Sequence, residues 1–163
     1  MDEISRWAER TMRGRPVPED LILLARIQAD RSPDADFESD PLHAMEVTVL
    51  TPDHAAQIPP EAAAHPHFAP ILTLPNGHTL GYWLPPTATP PPTPQIAALT
   101  DTGTLYTPPR GTTLTESLAI ELTPHPAAFR HLARRLSTSG LPLTAHHPSQ
   151  LPTPHPNPHP KAA

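Results

Sequence analysis

Residues 71–84 read ILTLPNGHTLGYWL. Two short runs of strand-forming residues flank Pro75-Asn76-Gly77-His78. An Asn-Gly pair between such runs is the strongest short-range signal for a hairpin. The stretch therefore predicts two antiparallel strands, over 71–74 and 79–84. Side chains of a strand alternate between faces. Leu80, Tyr82 and Leu84 share one face, and Gly81 and Trp83 share the other. One ring of the Tyr82-Trp83 pair must enter the core while the other faces out or toward covering helices. Two readings follow. Either both rings pack, Trp83 beneath the proline-rich loop, or the pair offers a partner an aromatic surface beside prolines, since Trp and Tyr are enriched at interfaces.

Working outward, Met45, Val47 and Val49 alternate with Glu46 and Thr48, which predicts a half-buried strand upstream. Thr51-Pro52-Asp53 suits the start of a short helical turn. PPEAAAHPHFAP, 59–70, reads as an irregular crossing segment. Downstream, PPTATPPPTP, 85–94, reads as a loop near polyproline II. QIAALT, 95–100, predicts a strand, Asp101-Thr102-Gly103 a tight turn, and TLYT, 104–107, the strand beyond it.

Helices bracket this meander. Ile4, Trp7, Ala8 and Met12 recur at helical spacing, and Gly14 and Pro16 end that helix. Pro18-Glu19-Asp20 opens a second one, with proline in the first turn and acids favoured by the dipole. There Leu21, Leu24, Ala25 and Gln28 share a side that Ile22 and Leu23 widen. Thr113 and Glu116 stand in capping-box spacing before Leu114, Leu118, Ala119 and Leu122. A further helix over 126–136 aligns Phe129, Leu132, Ala133 and Leu136. Helices, then about four or five short strands, then helices define an α+β class with helices packed on a small antiparallel meander sheet. Residues 1–140 form the expected single domain. The Pro/His-rich run 141–163 has no periodic apolar face and reads as a disordered tail.

The composition narrows the function. The chain has 163 residues, 27 of them proline and 11 histidine, and no cysteine. Disulfides, thiolate metal sites and cysteine nucleophiles are excluded. No run of apolar residues is long enough to span a membrane, and MDEISRWAER lacks the regions of a signal peptide. The expectation is a soluble cytoplasmic protein. Between Ser32 and Pro109 there is no Lys or Arg, while Asp34, Asp36, Glu38, Asp40, Glu46, Asp53, Glu61 and Asp101 all fall there. Phosphate binding depends largely on Lys and Arg, so a nucleic-acid partner is not expected. An acidic face suits a basic protein partner, although like charge on a solvated surface also serves solubility alone.

Motifs of catalysis are missing: no G-x-S-x-G, H-E-x-x-H, P-loop or G-x-G-x-x-G occurs. The D-x-D-x-E-x-D spacing at 34–40 superficially suggests calcium, but the central Gly and distal Glu of an EF-hand are absent. His146, His147, His155 and His159 are potential imidazole donors, yet a proline-spaced tail offers no fixed geometry or supporting shell. No metal or other cofactor is expected, and no catalytic residue stands out. A metal-handling tail and a small enzyme built on scattered His and Asp remain the alternatives to a binding module.

LGYWLPP, QIAALTDTGTLYTPP and TLTESLAIEL together resemble the SUKH superfamily, a group that includes many bacterial immunity proteins against polymorphic toxins. The likeness runs over about residues 68–122. Gly81, Tyr82 and Trp83 match its glycine-aromatic strand. Ile96-Ala97-Ala98-Leu99 matches the next strand, with Asp101 and Gly103 at the turn. Thr113, Leu114, Glu116 and Leu118 match its helix start. The resemblance implies an α+β fold and binding without catalysis. The expected function is thus a non-catalytic protein-binding module, of the immunity-protein kind. Its candidate partner-binding residues are Tyr82, Trp83, Asp34, Asp36, Glu38 and Asp101.

Overall fold

The computed structural model describes residues 2–30, 42, 46–89, 94–107, 113–121, 127, 130, 133–134 and 157–159. Two helices, α1 (Glu3–Met12) and α2 (Glu19–Ala29), precede the strands β1 (Thr48–Val49), β2 (Phe68–Thr73), β3 (Thr79–Trp83), β4 (Gln95–Leu99) and β5 (Leu105–Thr107). Helix α3 (Leu114–Glu121) follows, and a last strand, β6 (Asn157–His159), completes the order. All pairings are antiparallel, and the sheet runs β1-β2-β3-β4-β5-β6. This is the α+β class with a meander sheet. The helix read over 126–136 lies mostly outside the described residues. Ala127, Arg130, Ala133 and Arg134 are helical, and Ala133 packs against the main core.

Both ends of α1 have local causes. The Asp2 carboxylate accepts the Ser5 N–H at 2.8 Å and caps α1. Arg13 closes that helix in the left-handed region at φ 54°. The apolar stripe expected for α1 buries Trp7, Ala8 and Met12, and that of α2 buries Leu21, Leu24, Ala25, Ile27 and Gln28. Helix α3 receives its cap from across the core. Asp20 Oδ2 accepts both the Thr115 N–H (3.0 Å) and the Thr115 hydroxyl (2.9 Å), tying α2 to α3.

The hairpin at 71–84 forms as its turn chemistry requires. Gly77 N–H donates to Leu74 O at 3.1 Å, and Leu74 N–H donates to His78 O at 2.9 Å. Gly77 takes φ +88°, a conformation costly for any residue with a Cβ. The β4–β5 connection repeats this arrangement. Gly103 N–H donates to Thr100 O (3.0 Å), Thr100 N–H to Thr104 O (2.8 Å), and Gly103 also sits at φ +88°. The two turns lie side by side, because a Cβ built on Gly77 would stand 3.1 Å from that of Asp101.

Strand β2 starts earlier than its sequence suggests. Residues 68–70, read as part of an irregular crossing, already pair with β3, with Pro70 opposite Gly81. Proline is tolerated there because Leu84 N–H donates to His67 O, so alternation turns the Pro70 nitrogen away from β3; the register then shifts between Pro70 and Leu72. The rest of the crossing segment folds as a 3-10 helix over Pro60–Ala64, after a first one over Pro52–Gln57.

The sheet is covered on both faces. Leu80, Tyr82, Leu84, Ile96 and Ala98 join the helices in the main core. Ala97, Leu99, Leu105 and Phe68 form a second cluster with Ala62 of the Pro60–Ala64 turn. That explains why IAAL shows no polar alternation: from Ile96 to Leu99 both faces of β4 are buried, and Gln95 at its start is exposed. His65 pins the second layer to the strands. It is fully buried, and its Nε2–H donates to Gly103 O at 3.0 Å. Gly81 is the tight point between β2 and β3. A Cβ there would lie 2.1 Å from Ala69 O and 2.7 Å from Phe68 Cε1.

Residues 141–163 were expected to carry no regular structure because of their prolines. Residues 157–159 depart from that: they pair with β5, with Pro158 opposite Tyr106. A proline is compatible with an outermost strand when its nitrogen faces away from the neighbour. The rest of this segment lies outside the described residues. Among the described residues, no helix is long and apolar enough to cross a membrane.

Candidate functional site

The aromatic pair divides between the two faces of β3. Tyr82 is 1% exposed and belongs to the main core. It therefore offers a partner no surface, and its placement corrects its inclusion among the candidate contact residues. Leucines on both sides of it in the strand are drawn inward by the same helices, and the ring is carried with them. Its hydroxyl has no hydrogen-bond partner. Burial pushes the phenol's pKa well above the ordinary tyrosine value, and the Asp20 charge adds to the effect. Trp83 points to the other face and is half-buried against the second cluster. Its ring meets that of His67 edge-on, with centroids 5.8 Å apart.

Asp101 is exposed in the β4–β5 turn. It does not join Trp83. Trp83 pairs with Gln95 at one end of β3, while Thr79 pairs with Leu99, next to the turn, at the other. Four strand steps, roughly 13 Å, lie between those ends. Asp34, Asp36 and Glu38 lie outside the described residues. Of the candidates among the described residues, Trp83 and Asp101 lie at opposite ends of the sheet and Tyr82 is in the core.

A different group of acids does meet. A cleft of about 380 Å³ opens where the first turn of α1, the last turns of α2 and the 3-10 turn after β1 converge. Asp2, Glu3, Asp53 and His54 stand on its walls, and Ile4, Ala25 and Ala29 supply apolar surface between them. The Asp2 carboxylate is held by Arg26 Nη2 at 2.8 Å as well as by the Ser5 N–H. The backbone N–H of Ser5, then its side chain and Arg26, lower the Asp2 pKa to about 2. It is therefore a carboxylate at any physiological pH. Helix α2 directs its C-terminal end here and α1 its N-terminal end, so the two helix dipoles offset one another and the carboxylates set the sign of the rim. Glu3 and Asp53 are exposed. The arrangement is an acid-rimmed, partly apolar concavity. It can receive the methylene stem of a Lys or Arg side chain along the apolar wall and its charged head at the rim.

Gln28 frames the cleft and braces it. Its Nε2 donates to Val49 O at 2.9 Å, and its Oε1 accepts the Val49 N–H at 2.8 Å. The buried side chain thereby behaves as a one-residue strand on the outer side of β1. This fixes α2 against the start of the segment that carries Asp53 and His54. Nothing local in the sequence announces the cleft, since Asp2 and Asp53 are fifty-one positions apart. The one relevant hint is polarity out of place: Gln28 falls on the apolar side of α2.

Among the described residues, no group of three or more His, Cys, Asp or Glu side chains is placed to hold a metal ion. His146, His147 and His155 lie outside the described residues. No family model matches the chain, and no curated protein or solved structure is similar to it.

Proposed function

We propose that the protein is a non-catalytic binding module that docks on a basic protein partner, the relation an immunity protein bears to its toxin. The cleft between α1, α2 and the Pro52–Gln57 turn carries this reading. It brings three carboxylates around apolar surface, against one guanidinium already engaged with Asp2. The charge pattern of the chain points the same way, since no Lys or Arg falls between Ser32 and Pro109. Such a surface steers a cationic partner and repels anionic competitors. The likeness to SUKH domains over about residues 68–122 supports binding rather than catalysis.

The test is capture of the partner from a native lysate by the full chain, in parallel with a Glu3→Lys/Asp53→Lys variant. Both positions are exposed, so the variant keeps its core. A basic protein retained in stoichiometric amount by the wild type, released by moderate salt and lost from the variant, is the expected outcome. A partner held equally by both, or none in repeated trials, contradicts it.

A further inference from the structure

A sheet has two edges, and an unpaired edge is a template for another strand. Here they are closed by different means. On β1, the outward-facing groups belong to Val47 and Val49. Val47 N–H donates to Leu42 O at 2.8 Å. Val49 is satisfied in both directions by the Gln28 amide. That rim is sealed from within the domain.

The β5 rim is not sealed in that way. Thr100 N–H donates to Thr104 O, so Thr104 turns its main-chain groups toward β4. Successive residues of a strand turn theirs to alternate sides. Tyr106, opposite Ala98, therefore also faces β4, whereas Leu105 and Thr107 present N–H and C=O to the outside. The partners of Leu105 and Thr107 in β6 are His159 and Asn157. Pro158 stands opposite Tyr106, at the position where no hydrogen bond is exchanged. Its missing N–H lies on the far side of β6, away from β5.

The sequence around this strand has the same phase. Prolines occupy positions 152, 154, 156, 158 and 160, and every residue between them retains its N–H. An extended chain with proline at every second residue has donors along one side only. We infer that β6 is a one-sided edge strand, whose Asn157 and His159 dock on the open rim of β5 while Pro158 denies a donor to any further strand. The proline alternation that blocks a two-sided ladder is what fits β6 for an outermost position. The β5 rim is accordingly a strand-docking surface, and its occupant is the chain's own C-terminal segment. A shift by two residues preserves the phase, so the docking chemistry survives slippage. This inference needs no second protein and stands apart from the reading of the cleft.

Hydrogen exchange of the full chain, followed residue by residue by NMR, tests it. The Leu105 and Thr107 amides should exchange about tenfold more slowly in the wild type than in an Asn157→Pro/His159→Pro variant. Pro158→Ala, which alters only the far side, should leave both amides as protected as in the wild type. Leu80 and Tyr82, central in the sheet, report that each variant remains folded. Equal exchange at Leu105 and Thr107 in wild type and double variant would overturn the inference. So would an equal loss of protection in Pro158→Ala, which would show that the phase of the prolines is irrelevant.

Discussion

Gly81→Ala is the sharpest probe of the sheet. The added methyl would lie 2.1 Å from the Ala69 carbonyl oxygen, 2.9 Å from its carbon and 2.7 Å from Phe68 Cε1. Ordinary contact begins near 3.4 Å, so more than an ångström of displacement is required. Two of the three obstructing atoms are backbone, in the strand that pairs with Gly81 itself, and cannot rotate away. Overpacking in a core costs about 1–3 kcal/mol when side chains can absorb it. Here β2 must separate from β3 near the bulge, which also weakens one or two ladder bonds at about 1 kcal/mol each. The sum is about 2–5 kcal/mol, a large share of the total stability of a domain of this size. Urea denaturation followed by far-UV circular dichroism gives the difference from the shift in midpoint at constant slope. Trimming Phe68 to Leu should not rescue the variant, because the closest atom belongs to the main chain. A loss below about 1 kcal/mol, or full rescue by Phe68→Leu, would refute the close approach of β2 to Gly81.

Three further outcomes are expected. Gln28→Ala leaves the Val49 N–H without its partner, while the Val49 carbonyl keeps the Thr51 N–H at 2.9 Å, and should cost about 1–3 kcal/mol by chemical denaturation, more than an exposed glutamine would. Asp2 has its pKa lowered to about 2. A depressed carboxylate stabilises the fold above its unfolded pKa, so the melting temperature of wild type should exceed that of Asp2→Asn at pH 6. The gap should close as the pH falls through about 2. Tyr82 has a buried hydroxyl with no partner and a raised pKa. Tyr82→Phe should therefore match or exceed the wild-type stability by about 1 kcal/mol at neutral pH. Because the unfolded phenol ionises first, wild type should lose stability relative to this variant as pH rises above the ordinary tyrosine range, read from denaturation midpoints.

What could be read from the sequence depended on how local its cause was. The hairpin at 71–84 was readable because Pro75, Asn76 and Gly77 settle their own turn, and the Asp101-Thr102-Gly103 turn repeats the logic. The stripes of α1 and α2 were readable because helical spacing and burial coincide. The start of β2 was hidden by Pro70, whose nitrogen faces away from β3 in a register that only the pairing reveals. The division of Tyr82 from Trp83 followed from strand alternation. Whether Trp83 met water did not, because the ring it meets, His67, comes from a segment with no regular pattern. The cleft was invisible for a related reason: Asp2, Glu3 and Asp53 share no local pattern and meet only when Gln28 locks α2 to β1.

The central claim is that the acid-rimmed cleft is the docking surface for a basic partner. Isothermal titration of the captured partner against the full chain, wild type and Glu3→Lys/Asp53→Lys, addresses it most directly. Reversing two rim charges that face a cation should weaken binding by about 2–4 kcal/mol, roughly thirtyfold to a thousandfold, and the difference should shrink as salt rises. Equal affinity of the two proteins at low salt would contradict the account.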